Sequence, residues 1–255
     1  MSFTVVIPAR YASTRLPGKP LRLLAGRPLI EHVHARALAS GAAAVVVATD
    51  DERIASAARS FGADVALTLA THPSGTDRLA EVARARRWPE EAVIVNVQGD
   101  EPLIPPAIVA EVARLLTASP GAGIATLSTP IRTLAELEDP NVVKVVADGA
   151  GRALYFSRAP IPWQRDAALA GNAAGRLAGA ARHLGLYAYR VGALTRLAGL
   201  APTALESAEK LEQLRALEHG ISIAVATASV VPGPGVDTEA DLREAQALLG
   251  PGART

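Results

Sequence analysis

The feature that most constrains this chain is a set of continuous apolar runs. "FTVVIPA" (residues 3–9), "AAVVVATD" (43–50), "ADVAL" (63–67) and "AVIVNVQGD" (92–100) are rich in valine and lack the alternation of a half-exposed strand. A strand covered on both faces shows no polar side, so such runs point to a parallel sheet with helices above and below. The segments between them read as helices at 29–40, 51–61, 76–87 and 105–118, the last opening on prolines that a first turn tolerates. Strand and helix in alternation predict a doubly wound α/β fold. The apolar fraction, 49% of 255 residues, is ample for that core and excludes a disordered chain. The length suits one large domain or two tightly associated ones.

The second half changes rhythm. "GIATLSTPI", "NVVKVVAD", "ALYFSR" and "RHLGLYAYRV" read as strands of a mixed or antiparallel region, with a hairpin turning at 149–151. A single Glu- and Leu-rich helix is predicted over 204–218, then a strand at "ISIAVAT". A last helix follows, capped by Asp237 or Thr238 and running to about residue 249. Residues 164–181, low in complexity and rich in Ala and Gly, read as a mobile excursion or a poorly constrained helix.

Charge and composition remove several function classes. A formal net charge of +1 and 4% aromatic residues give no global support to nucleic-acid binding. Cysteine is absent, so there is no disulfide framework, thiolate nucleophile or Cys-type zinc site. No apolar stretch approaches the roughly 18 residues of a membrane span, and the first apolar run is too short for a signal peptide. The expectation is a cytoplasmic protein without a membrane or nucleic-acid partner.

In an open parallel sheet, ligands collect beyond the carboxyl ends of the strands. Three polar stretches fall there: "PARYASTRLPGK", "ATDD" and "NVQGDEP". Arg10, Arg15, Lys19, Arg22 and Arg27 all precede Glu31, the first carboxylate of the chain. The loop is neither a Walker A nor a GxGxxG loop, so any phosphate affinity comes from Arg10, Arg15 and Lys19 themselves. The alternative is a solvated basic loop, and the lack of a nearby acid argues against it. Asp100, at the tip of the fourth run, suits Mg²⁺, which takes one or two carboxylates together with substrate phosphates. Asp237 is by itself most simply a helix cap, and joins a metal site only if the fold carries it to Asp100. Ser74 and Thr76, in "HPSGTDRL", either bind nucleotide or cap the next helix. His183, in a strand, is by itself better explained as a structural histidine than as a catalytic one. His32 and His34 point to different helix faces and make no metal pair. Glu209 and Glu212 lie one turn apart on the predicted helix, so one would line a pocket while the other faces water.

Taken together, "IPARYASTRLPGKPL", "ATDDERI", "SGTDRLAEV", "VNVQGDEPLIP", "VVKVV", "LYFSRAPIPW", "RHLGLYAYR", "LEQLRAL" and "VPGPGVDTEADL" resemble the 3-deoxy-manno-octulosonate cytidylyltransferase family, in order from residue 3 to about 249. The resemblance implies a Rossmann-like mixed, mainly parallel sheet of the nucleotide-diphospho-sugar transferase type, with a smaller antiparallel dimerisation and sugar-binding region. It implies one nucleotidyltransferase domain over 1–255, with a CTP half at 1–130, a sugar and dimer region at 131–235, and a C-terminal helix at 236–255. The implied reaction joins CTP and the keto sugar acid 3-deoxy-manno-octulosonate (Kdo) to give CMP-Kdo and pyrophosphate for lipopolysaccharide synthesis, in a Mg²⁺-dependent homodimer.

Carried onto matching positions, Pro8, Ala9, Arg10, Arg15, Lys19, Ser74, Gly75, Thr76, Arg78 and Gln98 would seat CTP. Asp100 and Asp237 would hold Mg²⁺, and Arg10, Lys19, Asp100 and Asp237 would be the catalytic set. Gln98, Arg158, His183, Tyr187, Glu212 and Gln213 would line the sugar pocket. Segment 164–181 departs from the family pattern. A sibling acting on 8-amino-Kdo or sialic acid would share the CTP half, and a non-catalytic nucleotide sensor would have lost a metal carboxylate or a phosphate cation.

Overall fold

The apolar runs become sheet strands in the computed structural model, which describes residues 2–12 and 15–249. β1 (Thr4–Ala9) leads through the cationic loop to a two-stranded ribbon, β2 (Leu23–Leu24) and β3 (Arg27–Pro28), and on to α1 (Leu29–Ala39). Three strand–helix units follow: β4 (Ala44–Thr49) with α2 (Glu52–Ser60), β5 (Asp64–Leu67) with α3 (Gly75–Ala85), and β6 (Val93–Asn96) with α4 (Pro106–Ala118). Next come β7 (Ile124–Pro130), α5 (Leu134–Glu138), the strands β8 (Lys144–Ala147) and β9 (Ala153–Ser157), and two short helices, α6 (Arg165–Leu169) and α7 (Ala173–Arg176). β10 (Ala181–Arg190), α8 (Val191–Ala198), α9 (Ala204–Glu209), α10 (Gln213–Glu218), β11 (Ile223–Thr227) and α11 (Glu239–Leu249) complete the described chain.

The main sheet runs β11-β7-β10-β6-β1-β4-β5. β6, β1, β4 and β5 are mutually parallel, β11 is parallel to β7, and β10 is antiparallel to both β6 and β7. Successive residues of each strand enter different cores. Val5, Ile7, Val45, Val47, Val93 and Val95 join the layer containing α1 and α4. Val6, Val46, Ala48 and Ile94 join the layer containing α3 and α8. Each fully buried Val or Ile contributes about 1.5–3 kcal/mol, which is why these strands carry no polar face.

β10 is longer than its neighbours. Tyr187–Arg190 pair with β6, the register slips between Leu184 and Tyr187, and Arg182 pairs with Lys144 of β8. Its first half therefore extends past the carboxyl end of β6 and carries the β8–β9 hairpin there, giving a mixed, mainly parallel sheet with a small antiparallel part.

Two local expectations are corrected. The helix expected over 204–218 breaks at Lys210, whose φ of 55° is left-handed, and buried Leu211 then anchors a new start at α10. The fourth strand ends at Asn96, and residues 97–100 are a loop. Residues 164–181, expected as an excursion or a poorly constrained helix, hold the short helices α6 and α7, neither of which buries a side chain.

Candidate active site

The cationic loop leaves the tip of β1 and returns on itself. Gly18 N–H donates to the Tyr11 carbonyl at 3.2 Å, and Gly18 has a left-handed φ of 66° with the Tyr11 ring 3.2 Å from where a Cβ would sit. A side chain there would be strained in backbone and space alike. Leu16 is 1% exposed and Pro20 is buried, so two apolar anchors hold a loop whose Arg15 stays in solvent. Lys19 opens a 3₁₀ turn, Lys19–Leu21, and points inward.

Beyond β6, a Cβ at Gly99 would lie 2.8 Å from the Pro8 carbonyl oxygen, so only glycine lets the 97–100 loop pass this close to β1. Val236 N–H donates to the Asp100 carbonyl at 2.8 Å and its side chain is fully buried, which docks the approach to α11 on that loop. Thr238 and Asp241 cap each other: Asp241 N–H donates to Thr238 Oγ1 at 3.2 Å, and Thr238 N–H to Asp241 Oδ2 at 2.8 Å. Thr238 thus takes the cap, and the Asp237 side chain turns to the cleft instead.

The two acids meet on Lys19. Its Nζ donates to Asp100 Oδ2 at 2.7 Å and to Asp237 Oδ1 at 2.9 Å, and Arg15 Nη2 lies 3.0 Å from Asp237 Oδ2. Burial works against the Lys19 charge, but the Asp100 and Asp237 carboxylates outweigh it and raise its pKa above the usual lysine value. Burial, and then the charge of Asp100, push the Glu101 carboxyl up to about 7. Arg10 Nη2 donates to the His72 carbonyl at 2.6 Å.

A cleft of about 390 Å³ opens over this ion cluster. Pro8, Ala9, Arg10, Arg15 and Lys19 line it from the first loop, Gly75 from α3, and Gln98, Asp100 and Asp237 from the opposite wall. Ala12, Pro20 and Gly99 line it as well; proline stiffness and glycine space are visible signals for the last two, and nothing marks Ala12.

The other expected residues lie elsewhere. Ser74 caps α3 in a reciprocal box with Asp77, which is the capping alternative for this residue. Arg78 is fully buried, 3.2 Å from Asp50 and bonded to Thr68, so it braces the start of α3 against β4 rather than facing the cleft. Thr76 Oγ1 donates to Glu212 Oε2 at 2.5 Å. His183 Nε2 meets Thr126 Oγ1 at 2.9 Å, with its ring edge-on to Phe156 at 5.0 Å and 5.2 Å from Tyr187. Burial lowers the His183 pKa to about 3, so the ring is neutral. Arg158 donates from Nε to the Glu209 carbonyl at 2.7 Å and from Nη1 to the Pro140 carbonyl at 2.8 Å. Gln213 is buried at the start of α10.

Glu209 and Glu212, of which one is expected to face water, both turn inward because the break at Lys210 separates them. Glu209 accepts from Ser157 Oγ at 2.6 Å and from Arg158 N–H at 2.9 Å. Lys144 is fully buried and donates to the carbonyls of Asp139, Val142 and Arg158 at 2.9, 2.6 and 2.6 Å. Its position inside "VVKVV", a cation among β-branched residues, is the available sign of a buried lysine.

The sequence pattern of the Cytidylyltransferase family matches residues 4–223. A 3-deoxy-manno-octulosonate cytidylyltransferase of Thioalkalivibrio sulfidiphilus is 57% identical over 250 residues, covering 98% of this chain and 99% of the relative. The chain belongs to the 3-deoxy-manno-octulosonate cytidylyltransferase family. An enzyme of the same name from Halorhodospira halophila is 58% identical over 243 residues, 94% of each chain. The solved structure of CMP:2-keto-3-deoxy-manno-octonic acid synthetase complexed with CTP superposes with a TM-score of 0.88 at 43% identity, covering 98% of both chains. Family membership and fold therefore agree with the expectation drawn from the motifs. In this cytidylyltransferase the cationic loop, the Asp100 loop and the approach to α11 converge on one cleft at the carboxyl end of the sheet.

Proposed function

We propose that this cytidylyltransferase transfers the CMP group of CTP to Kdo, releasing pyrophosphate. The observation that carries the reading is the convergence of Arg10, Arg15 and Lys19 with Asp100 and Asp237 around one cleft, in a chain more than half identical to enzymes of that name. Arg10, Arg15 and Lys19 hold the triphosphate as two forked cations and one point charge. Gly75, at the first turn of α3, gives the nucleotide a close backbone approach.

Asp100 and Asp237 supply hard oxygens that fit Mg²⁺. Among the described residues no third acidic or histidine ligand joins them, so substrate phosphates complete the set. When bound, the ion polarises the α-phosphate and neutralises charge on the transferring group. The protein contributes positioning: the anomeric C2 hydroxyl of Kdo is aligned with the α-phosphorus, opposite the pyrophosphate that leaves. The hydroxyl oxygen forms the new P–O bond and gives its proton to solvent as the bond between the α-phosphorus and the oxygen it shares with the β-phosphate breaks. Lys19, Arg10 and Arg15 stabilise charge growing on that oxygen. Gln98, in the wall of the cleft, is the link to a sugar subsite that we assign to Arg158, Glu212, Gln213, Tyr187 and neutral His183.

Trp163 and Leu169, 64% and 76% exposed, line one shallow pocket beside α6 and α7, an apolar pair that favours a homodimer built there. No helix among the described residues is long and apolar enough to cross a membrane, and a cytoplasmic place follows from the use of CTP. Pyrophosphate release with CTP, Mg²⁺ and each sugar acid in turn tests the reading. Kdo should be turned over fastest, and faster release with 8-amino-Kdo or sialic acid would reassign the substrate. Sedimentation of the chain and of Trp163→Asp tests the dimer.

A further inference from the structure

We propose that Lys19 is a built-in counter-ion that keeps free divalent metal out of the Asp100–Asp237 pair and yields that place only when nucleotide arrives. The proposal rests on the reading of those two carboxylates as metal ligands.

The geometry is one of exclusion. Nζ sits between Asp100 Oδ2 and Asp237 Oδ1, the place an ion shared by both acids would take, and two cations cannot occupy it together. Lys19 is also the innermost member: its side chain is 14% exposed, against 33% and 44% for the two acids. A free ion must therefore dislodge a cation already stripped of most of its water. Among the described residues Lys19 has no other acceptor, so displacement without nucleotide leaves a partly buried ammonium with nothing to hold. The empty enzyme in turn needs the ammonium, because the two acids face each other across it. Arg15 reaches Asp237 alone and from the solvent side, with a side chain 64% exposed, so it does not replace Lys19.

A triphosphate changes the balance. Its oxygens in the same cleft give Nζ new acceptors, and a flexible four-carbon stem lets a compact charge move from carboxylate to phosphate. The carboxylates are then released to the metal that accompanies the nucleotide. Metal and CTP should consequently favour each other beyond their own affinity in solution, and by linkage the coupling is the same in both directions.

Mn²⁺, whose free form is counted by electron paramagnetic resonance, reads this directly. Without nucleotide, Lys19→Met should bind Mn²⁺ at least about tenfold more tightly than the unsubstituted chain, a difference of about 1.4 kcal/mol. Lys19→Arg keeps the charge and should bind Mn²⁺ as weakly as the unsubstituted chain. Mg²⁺ alone should raise the melting temperature of Lys19→Met and leave that of the unsubstituted chain unchanged. Lys19→Gln makes the same measurement should the methionine variant melt early. Equal Mn²⁺ affinity in the uncharged variants and the unsubstituted chain overturns the proposal. Asp100→Asn and Asp237→Asn separate the two readings. If each loses Mn²⁺ in the presence of CTP while Lys19→Met gains none, the metal site stands and the exclusion falls. If neither loses it, the metal site itself is wrong.

Discussion

On the nucleotide side of the cleft, Arg15, Asp100 and Asp237 are each a third or more exposed, and their partners are one another and Lys19. On the antiparallel side, Lys144 has no exposure at all, His183 is 9% exposed, and their partners are backbone carbonyls and a threonine hydroxyl. Both sides use a lysine, for different ends. Charge that must change partners during a reaction is kept near water, where solvent lowers the cost of each intermediate arrangement. The Lys144 charge, which fixes geometry, is buried and bonded to three carbonyls, where breaking one contact leaves a buried group unsatisfied. Lys19 and Lys144 are the sharpest contrast: one ammonium on two carboxylates, the other on three carbonyls.

The contrast makes separable predictions. Asp100→Asn should lower turnover by about a hundredfold to a thousandfold, the scale of losing one charge-stabilising contact in a transition state. Its melting temperature should shift little, and wild-type kinetics would remove Asp100 from the reaction. Lys144→Met should do the reverse. It leaves three buried carbonyls without their donor and should cost about 1–3 kcal/mol of stability in denaturant titrations for each carbonyl that finds no other donor. A cost below about 1 kcal/mol would show that the carbonyls find other donors. In the same variant, KM for the sugar acid should rise more than KM for CTP, because Lys144 holds the Arg158 carbonyl on that side. Lys19→Ala should raise KM for CTP by about tenfold to a hundredfold, or 1.4–2.8 kcal/mol. Unchanged use of CTP would take it off the phosphate.

The smallest effect is one of pH. His183 has its pKa lowered from 6.5 to about 3 by burial, so the unfolded chain takes up a proton that the folded chain refuses. Stability is therefore lost as pH falls below 6.5, with a slope of up to about 1.4 kcal/mol per pH unit from this residue. His183→Gln should remove that slope from the difference between the two proteins over about pH 6.5 to 5, a window above most carboxylate titration. An unaltered slope would mean the ring takes its proton while folded.

Much of this contrast is legible in the amino-acid sequence, but unevenly. The parallel strands are visible because burial on both faces writes itself into consecutive residues, as in Val45, Val46 and Val47. The hairpin turn is visible at Gly151, which takes a φ of 75°. The helix break at Lys210 is not, because Glu and Leu continue the helical pattern through it and only the burial of Leu211 against the core turns the chain. The insertion of β10 between β6 and β7 is equally silent, since strand order leaves no mark on the strand's own residues. Asp237 is ambiguous for a related reason: Asp and Thr both cap helices, and the docking of Val236 on the Asp100 carbonyl decides which of them does.

Layering, helix positions and an acid-free cationic leader are properties of neighbours in the chain, and the chain alone states them. Which acids answer Lys19 is a different kind of fact. Asp100 lies 81 residues away and Asp237 218 residues away, and no local pattern relates them. Coulomb attraction depends on distance through space, so only the folded sheet, with its loops gathered at one end, could choose those two carboxylates from all the acids available.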